Sequence, residues 1–171
     1  INNIDFVDII EVDDIILKQR SIKSSQEIKV IEHAYKIAEQ GIQKGIEVVH
    51  KDISEREIAA EIEYEMRKLG SEGMGIDTII GSGKINTHPI ITRTTSRKIK
   101  DGDHVLLTIA PRYEGYHGAI GRVVAIGQIN ENIPRSYEIA VKAQDEVIKN
   151  MSPGIKGYEL DRIARDVCIS S

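Results

Sequence analysis

The stretch LLTIAPRYEGYHGAIGR, residues 106–122, decides how the chain is read. Its residues alternate as two strands folded back on each other would, around Glu114 and Gly115. A period of two marks a half-buried strand, and a short polar pair containing glycine marks a tight turn. Pro111 has no backbone N–H, so the first strand's ladder ends there or runs at an edge or bulge. Such a hairpin is a mount on which an enzyme can place carboxylates, yet it carries only Glu114, in the turn itself.

Working outward, IKDGDHV places a turn at Asp101 and Gly102 before a strand from about His104 to Ala110. HGAIGRVVAIGQI is the returning strand. Upstream, IDTIIGSG reads as a short strand ending in glycines, and ITRTT, rich in β-branched residues, as another. Earlier still the period becomes helical. Ser24 with Glu27, and Ser54 with Glu57, are reciprocal capping boxes that open two helices. Apolar positions Ile28, Ile31, Ala34, Ile37, Ala38 and Ile42 mark the inner face of the first, whose far end Gly41 and Gly45 weaken. Ile58, Ala59, Ile62, Met66 and Leu69 mark the second, with Gly70 as its left-handed cap. Residues 1 to 17 read as a strand or an irregular apolar arm.

After the hairpin come two more helices. Pro134 fits the first turn of one, which carries Ile139, Ala143 and Val147 on one face. The last runs from about Tyr158 to Cys168. The two helix pairs resemble each other in text: SEREIAAEIEYEMRKLG compares with KGYELDRIARDVCISS. This is an internal repeat whose second copy lacks strands, so its helix faces have no sheet to bury them.

Composition narrows the function. The chain has 171 residues, 40% of them hydrophobic, which suits one folded domain. Aromatics are 4%, so aliphatic packing carries the core. The formal net charge of -4, with both signs well mixed, excludes a nucleic-acid partner. The basic run RTTSRKIK, residues 93–100, is read as a solvated turn. The single cysteine, Cys168, excludes an internal disulfide and points to a reducing, cytoplasmic compartment. No apolar run approaches the ~18 residues of a membrane span, and the acidic start is no leader. The chain lacks an initiating methionine and breaks off after CISS, so a fragment is expected.

The element order, with RSIKSSQEI, GIDTIIGSG, IKDGDHVLL and GYHGAIGR, resembles the pita-bread superfamily. That superfamily includes methionine aminopeptidases, prolidases, aminopeptidase P and creatinase. The resemblance implies an α+β pita-bread fold, of which this chain holds the first repeat and the opening helices of the second. It divides the chain into residues 1–20, the tail of a small N-terminal domain or linker, and residues 21–171, an incomplete catalytic-type domain. It also implies a homodimer.

In the family's peptidases two hairpin aspartates bind a pair of metal ions. The matching positions here are Thr108 and Ala119, poor donors for a hard divalent ion. The hairpin instead resembles that of creatinase, a member that works without metal. The implied reading is a metal-independent, creatinase-like hydrolase of a C–N bond, with metal ligands lost and no cofactor. Its substrate is a small amino-acid-like molecule or a short peptide. The alternatives are a degenerate domain that binds peptide or protein, and a conventional Xaa-Pro dipeptidase or aminopeptidase P.

His88 is the candidate proton-transfer group. It directly follows Ile85, Asn86 and Thr87, a triplet resembling creatinase's loop, although it sits three residues early and Ile91 stands at the matching position. A histidine titrates near neutrality, which suits acid–base work, but a half-exposed loop histidine is the plain alternative. His117 is expected on the face of Ala119, contacting substrate or resting on the sheet. Arg122 either fixes a substrate carboxylate or makes a fold-level ion pair. Arg93 and Arg97 reach toward the cleft mouth. GSGK, residues 81–84, lacks the spacing of a phosphate loop.

Overall fold

The computed structural model describes residues 11–87 and 93–170. Its first element is α1, Asp13–Ser21, where a strand or irregular arm was expected through residue 17. Acidic Asp13 and Asp14 in the first turn and basic Lys18 and Arg20 in the last complement the helix dipole, a local signal the apolar count obscured.

Helix α2 spans Ser25–Val48 and α3 spans Glu55–Lys68. Both begin with the expected capping boxes. The Ser24 amide donates to Glu27 at 2.6 Å, and the Ser54 amide donates to Glu57 at 2.8 Å. Gly70, at φ 101°, stands just past the end of α3 in the left-handed region. α2 runs unbroken through Gly41 and Gly45. They let α3 approach: a Cβ at Gly41 would meet Met66 Cγ at 2.6 Å, and one at Gly45 would meet Ile62 Cδ1 at 2.7 Å.

Two antiparallel sheets follow. The larger joins β2 (Ile79–Ser82), β3 (His104–Ile109) and β6 (Ile120–Ala125) in the order β2-β3-β6. The smaller joins β1 (Gly73–Met74), β4 (Pro111–Tyr113) and β5 (Tyr116–His117) in the order β1-β4-β5. The quoted hairpin therefore changes sheets at Pro111. Its turn holds Glu114 at φ 44° and Gly115 at φ 79°, the left-handed pair that matches strand twist in a two-residue loop. One helical turn, α4 (Gly83–Asn86), follows β2. Ile91 and Thr92 of the expected ITRTT strand lie outside the described residues, and Arg93–Thr95 form no strand.

The core lies between the α2–α3 pair and the larger sheet. Ile37, Ile58, Ile62, Met66, Ile80, Leu107 and Ile109 are among its fully or almost fully buried members. Along β3 burial alternates: Val105, Leu107 and Ile109 are buried against the helices, and His104, Leu106 and Thr108 are half-buried on the other face. Helices α5 (Asn132–Asn150) and α6 (Gly157–Ser170) pack on each other. Among the described residues no sheet covers them, and Ala143 is the one buried residue of the pair. The architecture is thus the expected α+β one: a helix pair with its sheet, then a second helix pair. No helix among the described residues is long and apolar enough to cross a membrane.

Candidate functional site

Register fixes what shares the open face of the larger sheet. Thr108 lies between Ile79 and Gly121, Leu106 between Gly81 and Val123, and His104 beside Ala125. Directly paired residues project to one face, so these eight line the face turned away from α2 and α3. Thr108 therefore lies on the open face of the larger sheet.

Beside Ile79 an open cavity of about 530 Å³ is lined by Asp77, Thr78, Ile79, Arg93 and Thr94. Thr94 ties this corner to β2: its hydroxyl donates to the Thr78 carbonyl at 2.6 Å and accepts from the Ile80 amide at 2.9 Å. Thr78 is 4% exposed, and its own hydroxyl oxygen is buried with no hydrogen-bond partner among the described residues. Asp77 and Arg93 are exposed, and among the described residues neither side chain forms an ion pair. The cavity thus offers one cation, one anion and an aliphatic wall.

The other candidates do not gather there. Arg122 pairs with Leu107 in the ladder, which puts it on the helix-side face, opposite Thr108. It is exposed, and its guanidinium donates to the Gly121 carbonyl at 2.7 Å. His117 ends β5 in the smaller sheet, with its ring beside Gly75. It also borders a surface groove with Arg20, Lys23 and Tyr35, on the α1–α2 side. Ala119 is exposed and lies just before β6, outside the ladder. His88 lies outside the described residues. Arg97 does not serve the cleft mouth, since it pairs with Asp103 at 2.6 Å.

The sequence reading missed Glu55, the first residue of α3. Its side chain is fully buried. It accepts from the Ser82 amide at 2.8 Å and hydroxyl at 2.6 Å, and from the Thr95 amide at 2.9 Å and hydroxyl at 2.6 Å. Asn86 donates to both its oxygens, at 2.8 and 2.7 Å. Burial pushes its carboxyl up, but the bonds from Ser82, Thr95 and Asn86 outweigh burial and hold it below the ordinary carboxylate range. The only signal in the sequence was an extra glutamate inside a first turn that the capping box already explained.

The sequence profile of metallopeptidase family M24 matches residues 29–171. The chain belongs to that family. The M24 chain is 38% identical over 157 residues to a Xaa-Pro dipeptidase of Pyrococcus horikoshii, covering 92% of this chain and 44% of that protein. It is 36% identical to the Xaa-Pro dipeptidase of Pyrococcus furiosus, covering 92% and 45%. Among solved structures, the prolidase from Pyrococcus furiosus superposes with a TM-score of 0.88 at 35% identity, over 93% of this chain and 47% of that one. The X-Pro aminopeptidase from Thermotoga maritima gives 0.87 at 32% identity, over 92% and 45%. The M24 chain spans somewhat under half the length of these relatives.

These matches correct two expectations. The pita-bread superfamily stands, but its metal-free creatinase branch does not: the family matched is a metallopeptidase family, and the relatives carry Xaa-Pro peptidase names. The reading of lost metal ligands falls with it. It extended two hairpin positions to a whole branch, whereas the match runs along 92% of the chain. The residues in hand do not by themselves fit a metal ion. Thr108 offers a neutral hydroxyl, Ala119 offers nothing, and among the described residues no cluster of three or more His, Cys, Asp or Glu could hold one. No step of a reaction is therefore routed through a metal here.

Proposed function

We propose that this M24 chain belongs to a Xaa-Pro peptidase that hydrolyses the amide C–N bond of short peptides. The observation that carries the reading is the similarity to Xaa-Pro dipeptidases along 92% of the chain. The cavity beside the open sheet face suits the substrate class. A dipeptide is a zwitterion with one free carboxylate and one free ammonium group. Arg93 supplies a rigid donor fork for the first, and Asp77 an acceptor for the second. Ile79 gives an aliphatic wall. His88, from its sequence position, is the proposed proton-transfer residue.

The test is release of free proline from Ala-Pro by the purified protein, with Ala-Ala as the comparison peptide and with each divalent ion added in turn. Proline release from Ala-Pro, faster than cleavage of Ala-Ala, supports the reading. No cleavage under any condition overturns it. Binding of Ala-Pro without cleavage would support the second reading, a peptide-binding domain, which the neutral side chain at Thr108 favours.

A further inference from the structure

Asn86 stands between a buried carboxylate and the cavity. Its amide group donates to both oxygens of Glu55 and also to the Arg93 carbonyl, at 3.2 Å. Glu55 sits on the helix layer, behind the sheet, and touches no open-face residue in its hydrogen bonds. Its partners come from two stretches that each continue a cavity-lining segment: Ser82, at the end of β2, with Asn86 in α4, and Thr95, directly after Arg93 and Thr94. Arg97 extends the set, donating to the Ser82 hydroxyl at 2.6 Å.

We infer that Glu55 is a positioning residue for the Arg93 cavity, acting through Asn86. The physical logic is one of cost. A buried carboxylate must be fully hydrogen-bonded, because each unmet acceptor carries a desolvation penalty. Glu55 meets that demand only if the stretches bearing Ser82, Asn86 and Thr95 converge on it. Their convergence sets the main chain at Arg93 through the Asn86 amide, and at Thr94 through its neighbour Thr95. A guanidinium fork recognises a carboxylate only at the right distance and angle, so the position of its main chain governs affinity. Held this way, the main chain at Arg93 does not have to be ordered when substrate binds, and only the side chain's own rotamers remain to be fixed.

The proposal rests on the peptidase reading for its kinetic effect, but the linkage itself is readable without substrate. The experiment compares wild type, Asn86→Ala, Glu55→Gln and the control Lys84→Ala, which lies in the same helical turn outside the network. Hydrogen exchange of amides 93–97 is measured alongside hydrolysis of Ala-Pro. Asn86→Ala is expected to speed exchange at 93–97 at least tenfold while exchange in α2 and β3 stays unchanged. It is expected to raise KM for Ala-Pro roughly tenfold with kcat within about threefold. Glu55→Gln should show the same pattern more strongly, and Lys84→Ala neither effect. If Glu55→Gln fails to fold, Asn86→Ala alone decides. Unchanged exchange at 93–97 in Asn86→Ala overturns the inference. So does a rise spread evenly over the whole protein, which marks simple destabilisation. If wild type does not act on Ala-Pro, the peptidase reading fails and exchange still decides the linkage.

Discussion

Arg97 grips Asp103 through two hydrogen bonds, at 2.6 and 3.0 Å, at the point where the chain turns into β3. Asp103 also accepts from the Lys100 amide at 2.7 Å, closing the turn through Asp101 and Gly102. Burial raises its carboxyl, but Arg97 and the Lys100 amide bring it below the ordinary carboxylate value. Removing one partner leaves the other charge poorly compensated. Asp103→Ala is therefore expected to lower stability by about 2–3 kcal/mol, the scale for hydrogen bonds to charged groups. Urea denaturation checks this. A loss under about 0.5 kcal/mol, the range of ordinary surface changes, would mean the pair does not organise the start of β3.

Close packing between α2 and its neighbours makes a graded prediction. A Cβ at Gly118 would lie 2.6 Å from the backbone carbon and oxygen of Ala34, atoms that cannot move without bending α2. At Gly41 the obstacle is the side chain of Met66, which is flexible although buried. Gly118→Ala should cost about 3 kcal/mol or more, the upper end for overpacking. Gly41→Ala should cost about 1 kcal/mol, because alanine regains about 1 kcal/mol of helix propensity. Thermal unfolding that ranks the two the other way would disprove the close approach of the hairpin to α2.

What could be read from the sequence was what depends on near neighbours. Ser24 and Ser54 announce helix starts because a capping hydroxyl reaches only three residues ahead. Glu114 and Gly115 announce a turn because few residues adopt the left-handed region. The alternation of the strand from about His104 to Ala110 was legible because its period of two is local. The side of Arg122 could not be read, because it depends on the break at Gly118 and Ala119, where the returning strand leaves the smaller sheet before joining the larger one. Glu55 was illegible because its partners lie 27 to 40 residues away. Only the folded chain brings Ser82, Asn86 and Thr95 to one carboxylate.

The hairpin tip should respond to acid. Tyr116 donates a short hydrogen bond to Glu27, which also caps α2. The bond from Tyr116, then those from Ser24, lower the Glu27 carboxyl from 4.5 to about 2. A depressed carboxyl stabilises the fold fully above its unfolded value and loses that contribution as pH falls through the folded one. The tie between the hairpin and α2 is therefore expected at pH 5 and above, and should fade between about 4.5 and about 2. In a series of melting temperatures from pH 6 to pH 2, Glu27→Gln should fall less steeply than wild type. Parallel curves would show that Glu27 titrates normally.

His88 makes a prediction from sequence position alone. A positioned proton-transfer residue contributes about 10²- to 10⁴-fold to rate. His88→Ala is expected to lose turnover of Ala-Pro on that scale, with melting temperature unchanged. Equal turnover would remove His88 from the chemistry and leave the plain alternative, a half-exposed loop histidine.

Arg93 and Arg122 separate the cavity reading from the sequence expectation, because they do not lie on the same surface. Arg93 lines the cavity beside Ile79, whereas Arg122 shares the helix-side face with Leu107. A lost guanidinium–carboxylate contact costs about 1.5–3 kcal/mol, which is a factor of about ten to one hundred in affinity. Arg93→Ala should therefore raise KM for Ala-Pro by about that factor and leave kcat nearly unchanged, as expected for loss of uniform binding. Arg122→Ala should leave both constants within about twofold. The decisive control is a substrate with its carboxylate amidated. Arg93→Ala should bind that peptide as well as wild type does, since the group it recognises is gone. If amidation and Arg93→Ala weaken binding independently, so that their effects multiply, the carboxylate is held elsewhere and Arg93 only borders the cavity.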